Sequence, residues 1–211
     1  MHTTPSLSTL SMHSPLGPMT LACSEQGLCG VWFEGQRHGP TAADTQGWQS
    51  APDHPVLRQA VEELQAYFAR KRSTFSVPLD LSQGTPFQQS VWQALLAIPA
   101  GRHETYGQLA KTLHKPQAVR AVGAAVGRNP VSIIVPCHRV LGSTGQLTGY
   151  AGGLERKRAL LLLGGGFISV GLFISTLTTN QIVAYIGTFS ALLILWVISW
   201  IGSFSTGVFT D

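Results

Sequence analysis

Residues 127–140 read Gly127-Arg128-Asn129-Pro130-Val131-Ser132-Ile133-Ile134-Val135-Pro136-Cys137-His138-Arg139-Val140. The β-branched run from Val131 to Val135 predicts a short buried strand, closed by Pro136. That strand would deliver a thiol beside an imidazole and a guanidinium. Thiolate is the nucleophilic form of cysteine, and neighbouring cations favour it, so the composition suits an activated sulfur. The same residues also read as a small buried cysteine next to a surface His-Arg pair, because adjacent strand side chains face opposite ways.

Working outward, the residues before this stretch are helical and punctuated. A helix is predicted from about Gln117 to Val126, with Val119, Val122 and Val126 on one face. Lys115-Pro116 separates it from a shorter helix that follows Thr105 and runs from Tyr106 to Leu113. Thr85 before Pro86 fits an N-cap with proline in the first turn, and Phe87, Val91, Trp92, Leu95 and Leu96 form the stripe of a further helix. Ile98-Pro99-Ala100-Gly101 ends it. Two short helices around a tight break form a candidate helix-turn-helix, although any helical hairpin gives the same pattern.

Farther out, residues 15–33 predict a β-hairpin turning at Ser24-Glu25-Gln26-Gly27, and residues 35–52 a loop. Pro55 to Arg72 has Val56, Ala60, Leu64, Tyr67 and Phe68 at helical spacing, with Glu62 and Glu63 expected outward. Phe75 to Leu81 predicts another short strand before the breaker cluster Ser82-Gln83-Gly84-Thr85-Pro86. The expected class is therefore α+β. A small N-terminal α/β domain over 1–83 precedes a mostly helical domain over 84–162 that carries the helix-turn-helix. A hydrophobic tail follows over 163–211.

The chain of 211 residues is long enough to bury a core, which excludes a disordered chain. Its charge is uneven: residues 84–158 hold nine Lys/Arg against two Asp/Glu, whereas residues 1–83 hold five against seven. A basic segment of this size is the footprint of a polyanion-binding module, with nucleic acid the leading partner. Three cysteines argue against a disulfide framework, and the start lacks a secretory signal, so residues 1–158 read as cytoplasmic. From Ala159 to Thr210 no residue is charged, which points to lipid or to a non-native terminus.

The residues over about 12–162 resemble the O6-alkylguanine-DNA alkyltransferases, also called methylated-DNA–protein-cysteine methyltransferases. The matching motifs are Thr85-Pro86-Phe87-Gln88, Val91-Trp92, Ile98-Pro99, Thr105-Tyr106-Gly107, Arg120-Ala121-Val122-Gly123, Asn129-Pro130, Pro136-Cys137-His138-Arg139-Val140 and Gly149-Tyr150-Ala151-Gly152-Gly153-Leu154. The resemblance implies single-turnover DNA repair, in which Cys137 takes an alkyl group from O6 of guanine, with O4 of thymine a further substrate position. His138 matches the residue that draws off the thiol proton through a bridging water. Tyr106 matches the tyrosine that protonates guanine N3 and crowds the flipped nucleotide. Arg120 matches an arginine finger that fills the gap in the duplex from the minor groove. Ala121 and Gly123 are small enough for close approach to DNA or, equally, for tight helix packing. Asn129 matches the asparagine that ties the recognition helix to the active-site segment.

The same resemblance implies a guanine pocket lined by Val126, Ser132, Val140, Tyr150 and Ala151. Carbonyls near Cys137 and Val140 would accept from the exocyclic amine, and the Ala151 amide would face O6. Arg139 would support structure. The implied partner is double-stranded DNA containing O6-alkylguanine, bound by a monomer that needs no cofactor. Cys23 and Cys29 lie on opposite arms of the hairpin without a nearby histidine pair, so no metal site is expected. Trp32, Trp48 and Trp92 read as core. His103 and His114 read as phosphate contacts or as ordinary surface histidines.

Two departures stand out. The family places a glutamate that orients the active-site histidine 27 residues after the cysteine, and here that position is Gly164. Without the carboxylate the imidazole loses the partner that fixes its tautomer and favours its protonated form. A non-catalytic binder of alkylated DNA is therefore a second reading, and a multiple-turnover Cys-His hydrolase a third. Beyond Gly164, the apolar run from Ile182 to Phe204, with Trp196 and Trp200 toward one end, is long enough to span a bilayer. A membrane hairpin starting near Leu160 would anchor the protein to the inner face of a membrane, with the membrane a partner only if the tail is a genuine part of the chain. This tail resembles a fragment of an ABC-2-type transporter permease, through either gene fusion or a junction artefact.

Overall fold

Strands β1 Ser8–Ser14, β2 Gly17–Ser24 and β3 Gly27–Phe33 form an antiparallel meander in the computed structural model, which describes residues 6–164. The predicted hairpin is β2–β3. Gly27 takes φ +152°, and a Cβ there would lie 2.7 Å from the Pro78 carbonyl oxygen, so only glycine fits the turn. Strand β1 goes beyond the sequence reading, because Leu10 and Met12 alone mark its inner face among small polar residues. A two-residue β4, Gln49–Ser50, pairs in parallel with β1, giving the order β3-β2-β1-β4. The rest of 35–52 is loop, as expected.

Helix α1, Pro55–Phe68, buries Leu57, Ala60, Leu64 and Tyr67. Glu63, expected outward, is also buried. Its carboxylate accepts from the backbone N–H groups of Ser76 and Val77, the Ser76 hydroxyl and Gln59, and pairs with Arg72 at 3.0 Å. Helical spacing places it one position from the core stripe, and only the 72–77 segment, distant in sequence, supplies its partners. Burial works to raise the Glu63 pKa, but these donors outweigh it and hold the group below its ordinary 4.5. Glu63→Gln is expected to cost about 2 kcal/mol at neutral pH, the scale of charge-assisted bonds lost at a buried site. Because the folded pKa is depressed, the carboxylate's contribution is full above about 4.5 and fades as pH falls through its folded pKa. Urea unfolding at pH 7 and pH 3.5 should therefore separate variant from parent by more at the higher pH.

Residues 75–81 do not form the predicted strand. They run alongside β3 through Leu28 N–H to the Pro78 oxygen and Asp80 N–H to the Leu28 oxygen, with a single bridge at Leu79, and Pro78 has no N–H with which to extend a ladder.

Helices α2 Pro86–Leu96 and α3 Tyr106–Thr112 each begin with a capping box, Thr85 with Gln88 and Thr105 with Gln108. Helix α4, Val119–Gly127, buries Val122, Ala125 and Val126, while Val119 is exposed. Trp92 Nε1 donates to the Ala125 oxygen at 2.9 Å and ties α2 to α4. Trp92 is core, whereas Trp32 and Trp48 are half-buried and stack at 5.9 Å over a small cluster of Leu7, Ala22 and Cys29.

Residues 131–135 are buried as expected but are not a strand. Val131 alone bridges to Val31, and Ile133 sits at φ +72°, a conformation a β-branched residue adopts only under constraint. Cys137–Arg139 then form one turn of 3-10 helix, and β6 Val140–Leu141 pairs in parallel with β5 Glu104–Thr105. The thiol is thus presented by a tight helical turn rather than by a strand end. A final helix, α5, covers 154–164 and buries Leu160 completely, so the expected start of a membrane hairpin is core instead. The predicted spans, Trp196, Trp200 and the permease-like stretch lie outside the described residues. Among the described residues, no helix is long and apolar enough to cross a membrane.

Candidate active site

Cys137 borders a pocket of about 330 Å³ shared with Tyr106, Gly123, Val126, Tyr150 and Ala151. Helix α3 supplies Tyr106 from its first turn, α4 supplies Gly123 and Val126, and the loop before α5 supplies Tyr150 and Ala151. Gly123 lies under the Tyr106 ring, where a Cβ would sit 3.7 Å from it. Two residues expected in the wall are elsewhere. Ser132 is buried behind the pocket and donates to Gln36 Oε1 at 3.0 Å, and Val140 is fully buried. The Val140 carbonyl, expected to face the substrate amine, already accepts from Lys157 Nζ at 2.5 Å. Val140 follows the 3-10 turn and Ser132 lies in the turn with Ile133 at φ +72°, so neither segment keeps the period-2 alternation that a strand would impose. Arg120 and Ala121 are exposed on α4, outside the pocket lining.

Asn129 fixes the thiol. It follows α4, and its Nδ2 lies 2.9 Å from the Val135 oxygen, 3.3 Å from the Val131 oxygen and 3.1 Å from Cys137 Sγ, while its Oδ1 accepts from Val131 N–H at 3.0 Å. One amide thus joins the end of α4, the strained turn and the sulfur. Burial pushes the Cys137 thiol pKa up, while the Asn129 donor and the Lys157 charge pull it down. His138 is completely buried, and neither ring nitrogen has a partner among the described residues. Burial first, then the charges of Arg139 and Lys157, hold it well below 6.5, so it is a neutral imidazole. Arg139 is also buried, and its Nη1 donates to the Ile98 oxygen at 2.6 Å, a structural bond. Burial raises the Tyr106 and Tyr150 pKa values, keeping both phenols protonated.

Several residues at the site escaped the sequence reading. Arg37, His38 and Arg128 line the pocket, and the Arg37 N–H donates to the Ala151 oxygen at 2.9 Å. The first two sit in a loop without periodicity. Lys157, within the run Arg156-Lys157-Arg158, reads as surface charge, yet it is fully buried. Its Nζ donates to the oxygens of Val140, Thr148 and Gly149 at 2.5, 2.7 and 3.2 Å. Burial lowers its pKa to about 8, partly offset by Cys137. Its position three residues before the buried Leu160, on the inner face of α5, is the one available signal. Cys23 Sγ lies 3.4 Å from His54 Nδ1, and no cluster of three or more metal-binding side chains occurs among the described residues.

Comparison with known proteins gives a consistent result. Residues 9–81 match the family described as 6-O-methylguanine DNA methyltransferase, ribonuclease-like domain, and residues 86–165 match its DNA binding domain. A methylated-DNA–protein-cysteine methyltransferase of Mycobacterium leprae is 48% identical over 153 residues, 72% of this chain and 89% of the relative. One from Methanosarcina acetivorans is 47% identical over 152 residues, covering 72% of this chain and 94% of the relative. The crystal structure of the Mycobacterium tuberculosis protein in complex with DNA aligns with a TM-score of 0.68 at 46% identity, covering 75% of this chain and 93% of that one. The matches to the two domain families end at residue 165, and neither supports the permease resemblance of the tail. With identity of this level over nearly the whole length of its relatives, the chain belongs to the methylated-DNA–protein-cysteine methyltransferase family.

Proposed function

We propose that this protein repairs DNA by moving an alkyl group irreversibly from O6 of guanine to Cys137, each molecule acting once. The observation that carries the reading is the pocket itself, in which a buried thiol held by Asn129 shares about 330 Å³ with the phenols of Tyr106 and Tyr150. Sγ attacks the alkyl carbon, the carbon–O6 bond breaks, and its electron pair leaves on guanine. Tyr106, protonated and lining the pocket, supplies the proton to N3. The thiol proton passes to neutral His138 through a bridging water. The product is a thioether, which has no route back to the thiol.

O6 is inaccessible in stacked duplex, so the target nucleotide must rotate into the pocket. Arg120, Ala121 and the small residues along α4 would meet the minor groove, with Arg120 entering the vacated position. Arg37 and Arg128, at the pocket, would neutralise flanking phosphates. Ser132 acts through Gln36 and Asn129 through the thiol, rather than on the base directly. O4 of thymine is a second substrate for the same geometry. In this reading residues 1–83 and 84–162 are the two functional parts of the chain, working as a cytoplasmic monomer.

Intact-protein mass after incubation with a duplex carrying one O6-methylguanine tests the proposal. A gain of about 14 Da, saturating at one per protein and mapping to the Cys137 peptide, is the expected result for one transferred methyl group. Tight binding of the duplex with no mass gain would leave a damaged-DNA binder and refute the transfer.

A further inference from the structure

A cavity of about 270 Å³, distinct from the one that Cys137 borders, is lined among the described residues by His138, Arg139, Arg102, His103, Gly101, Gly164 and three leucines. We propose that this cavity binds a small carboxylate, which on binding speeds attack by Cys137. Four observations converge on an anion. The imidazole is completely buried, and neither nitrogen has a partner among the described residues. Arg139 is buried as well, and its Nε is unpartnered among those residues. Among the described residues, every titratable side chain in the lining is basic, and Glu104, adjacent to His103 in the chain, is not part of it. Arg139 and Lys157, both positive, act against an imidazolium at His138.

A carboxylate there accepts the N–H of one ring nitrogen. That fixes the tautomer, leaves the other nitrogen to take the proton from Cys137 Sγ, and offsets the charge of the imidazolium formed. No atom is gained or lost: the proton moves from sulfur to nitrogen, and the carboxylate remains a spectator. Gly164 provides the room, since among the described residues a Cβ built on it would meet the Gly101 nitrogen alone, at 3.7 Å. A glutamate introduced at this position would therefore reach the cavity as a built-in version of the same ligand. The inference depends on the proposed function only for the role of His138 as proton acceptor, so the test avoids DNA.

Full-length protein is treated with iodoacetamide in rising formate or acetate at constant ionic strength set by chloride, and the alkylated Cys137 peptide is quantified over time. In parallel, formate is titrated into protein labelled at histidine ¹³Cε1. The expected result is a saturable rise of about fivefold in Cys137 alkylation, equivalent to a pKa change of somewhat under one unit, together with a saturable shift of a histidine resonance. Gly164→Glu should raise the rate without formate and abolish the response to it. An unchanged rate and spectrum, or a shift without acceleration, overturns the proposal. An equal response to inorganic phosphate overturns the carboxylate assignment. The wild-type titration decides the matter even if Gly164→Glu fails to fold, and its outcome is independent of whether methyl transfer from DNA occurs.

Discussion

Asn129→Ala is expected to lower the unfolding free energy by about 2 kcal/mol, the cost of leaving one buried backbone N–H without a partner and losing the amide's bonds to two carbonyls. The Val131 N–H would lose its acceptor, while the Val131 and Val135 oxygens would lose the amide but keep the N–H groups of Val135 and Cys137. These bonds close over Ile133 at φ +72°, so the asparagine offsets a conformation that costs on the order of 1–3 kcal/mol by itself. Urea denaturation would measure the loss. Asn129→Asp keeps the acceptor and removes the donor, losing the bonds to the Val131 and Val135 oxygens as well. The carboxylate still accepts from Val131 N–H, but it replaces the donor 3.1 Å from Cys137 Sγ with a negative group. The loss of one charge-assisted bond to a thiolate, with like-charge repulsion added, slows alkylation of Cys137 at pH 7 by about 100-fold. A folded Asn129→Asp protein with undiminished iodoacetamide reactivity would show that the Nδ2–sulfur contact does not stabilise the thiolate.

Asn129 also shows what the sequence could and could not disclose. The helices were legible because their boundaries are local: Thr85 and Thr105 cap their own helices through Gln88 and Gln108, three residues on. The β2–β3 hairpin was legible for the same reason, its turn chemistry lying between its strands. The β-branched run 131–135 misled because such residues favour strands only when a partner strand is available. Here the neighbouring chain, at Val31, engages the run at one residue, and asparagine side-chain bonds replace the ladder. That is a tertiary fact.

Charge was harder to read than apolarity. Glu63 and Lys157 both sit where a sequence pattern expects solvent, and both are buried because several backbone groups far away in the chain converge on them. The pocket residues Cys137, Tyr106 and Tyr150 came from motif resemblance, and the structure brings them together. Ser132 and Val140 came from the same resemblance but lie outside the lining, since residues 131–139 run through a turn and a 3-10 helix rather than a strand.

Lys157→Met is expected to slow alkylation of Cys137 about tenfold at pH 7, the equivalent of one pKa unit of thiolate stabilisation. The buried ammonium lowers the thiol pKa through its charge, and its three carbonyl partners hold it in place at the junction of β6 and the 148–149 turn. The pH profile distinguishes this from a structural role. Lys157 titrates at about 8, so its charge acts on the thiol below that pH and is lost above it. The ratio of wild-type to variant rate should therefore be greatest near pH 7 and shrink toward unity above pH 8, whereas a merely distorted pocket would lower the rate equally across the range. Stability moves the opposite way. The folded pKa lies below the ordinary 10.5, so the unfolded chain holds more protons between about 8 and 10.5, and Lys157 makes the wild type more stable as pH rises through that window. The variant lacks that gain. At pH 7 its net stability change should stay within about 2 kcal/mol, because relief from burying a charge offsets the loss of three donors.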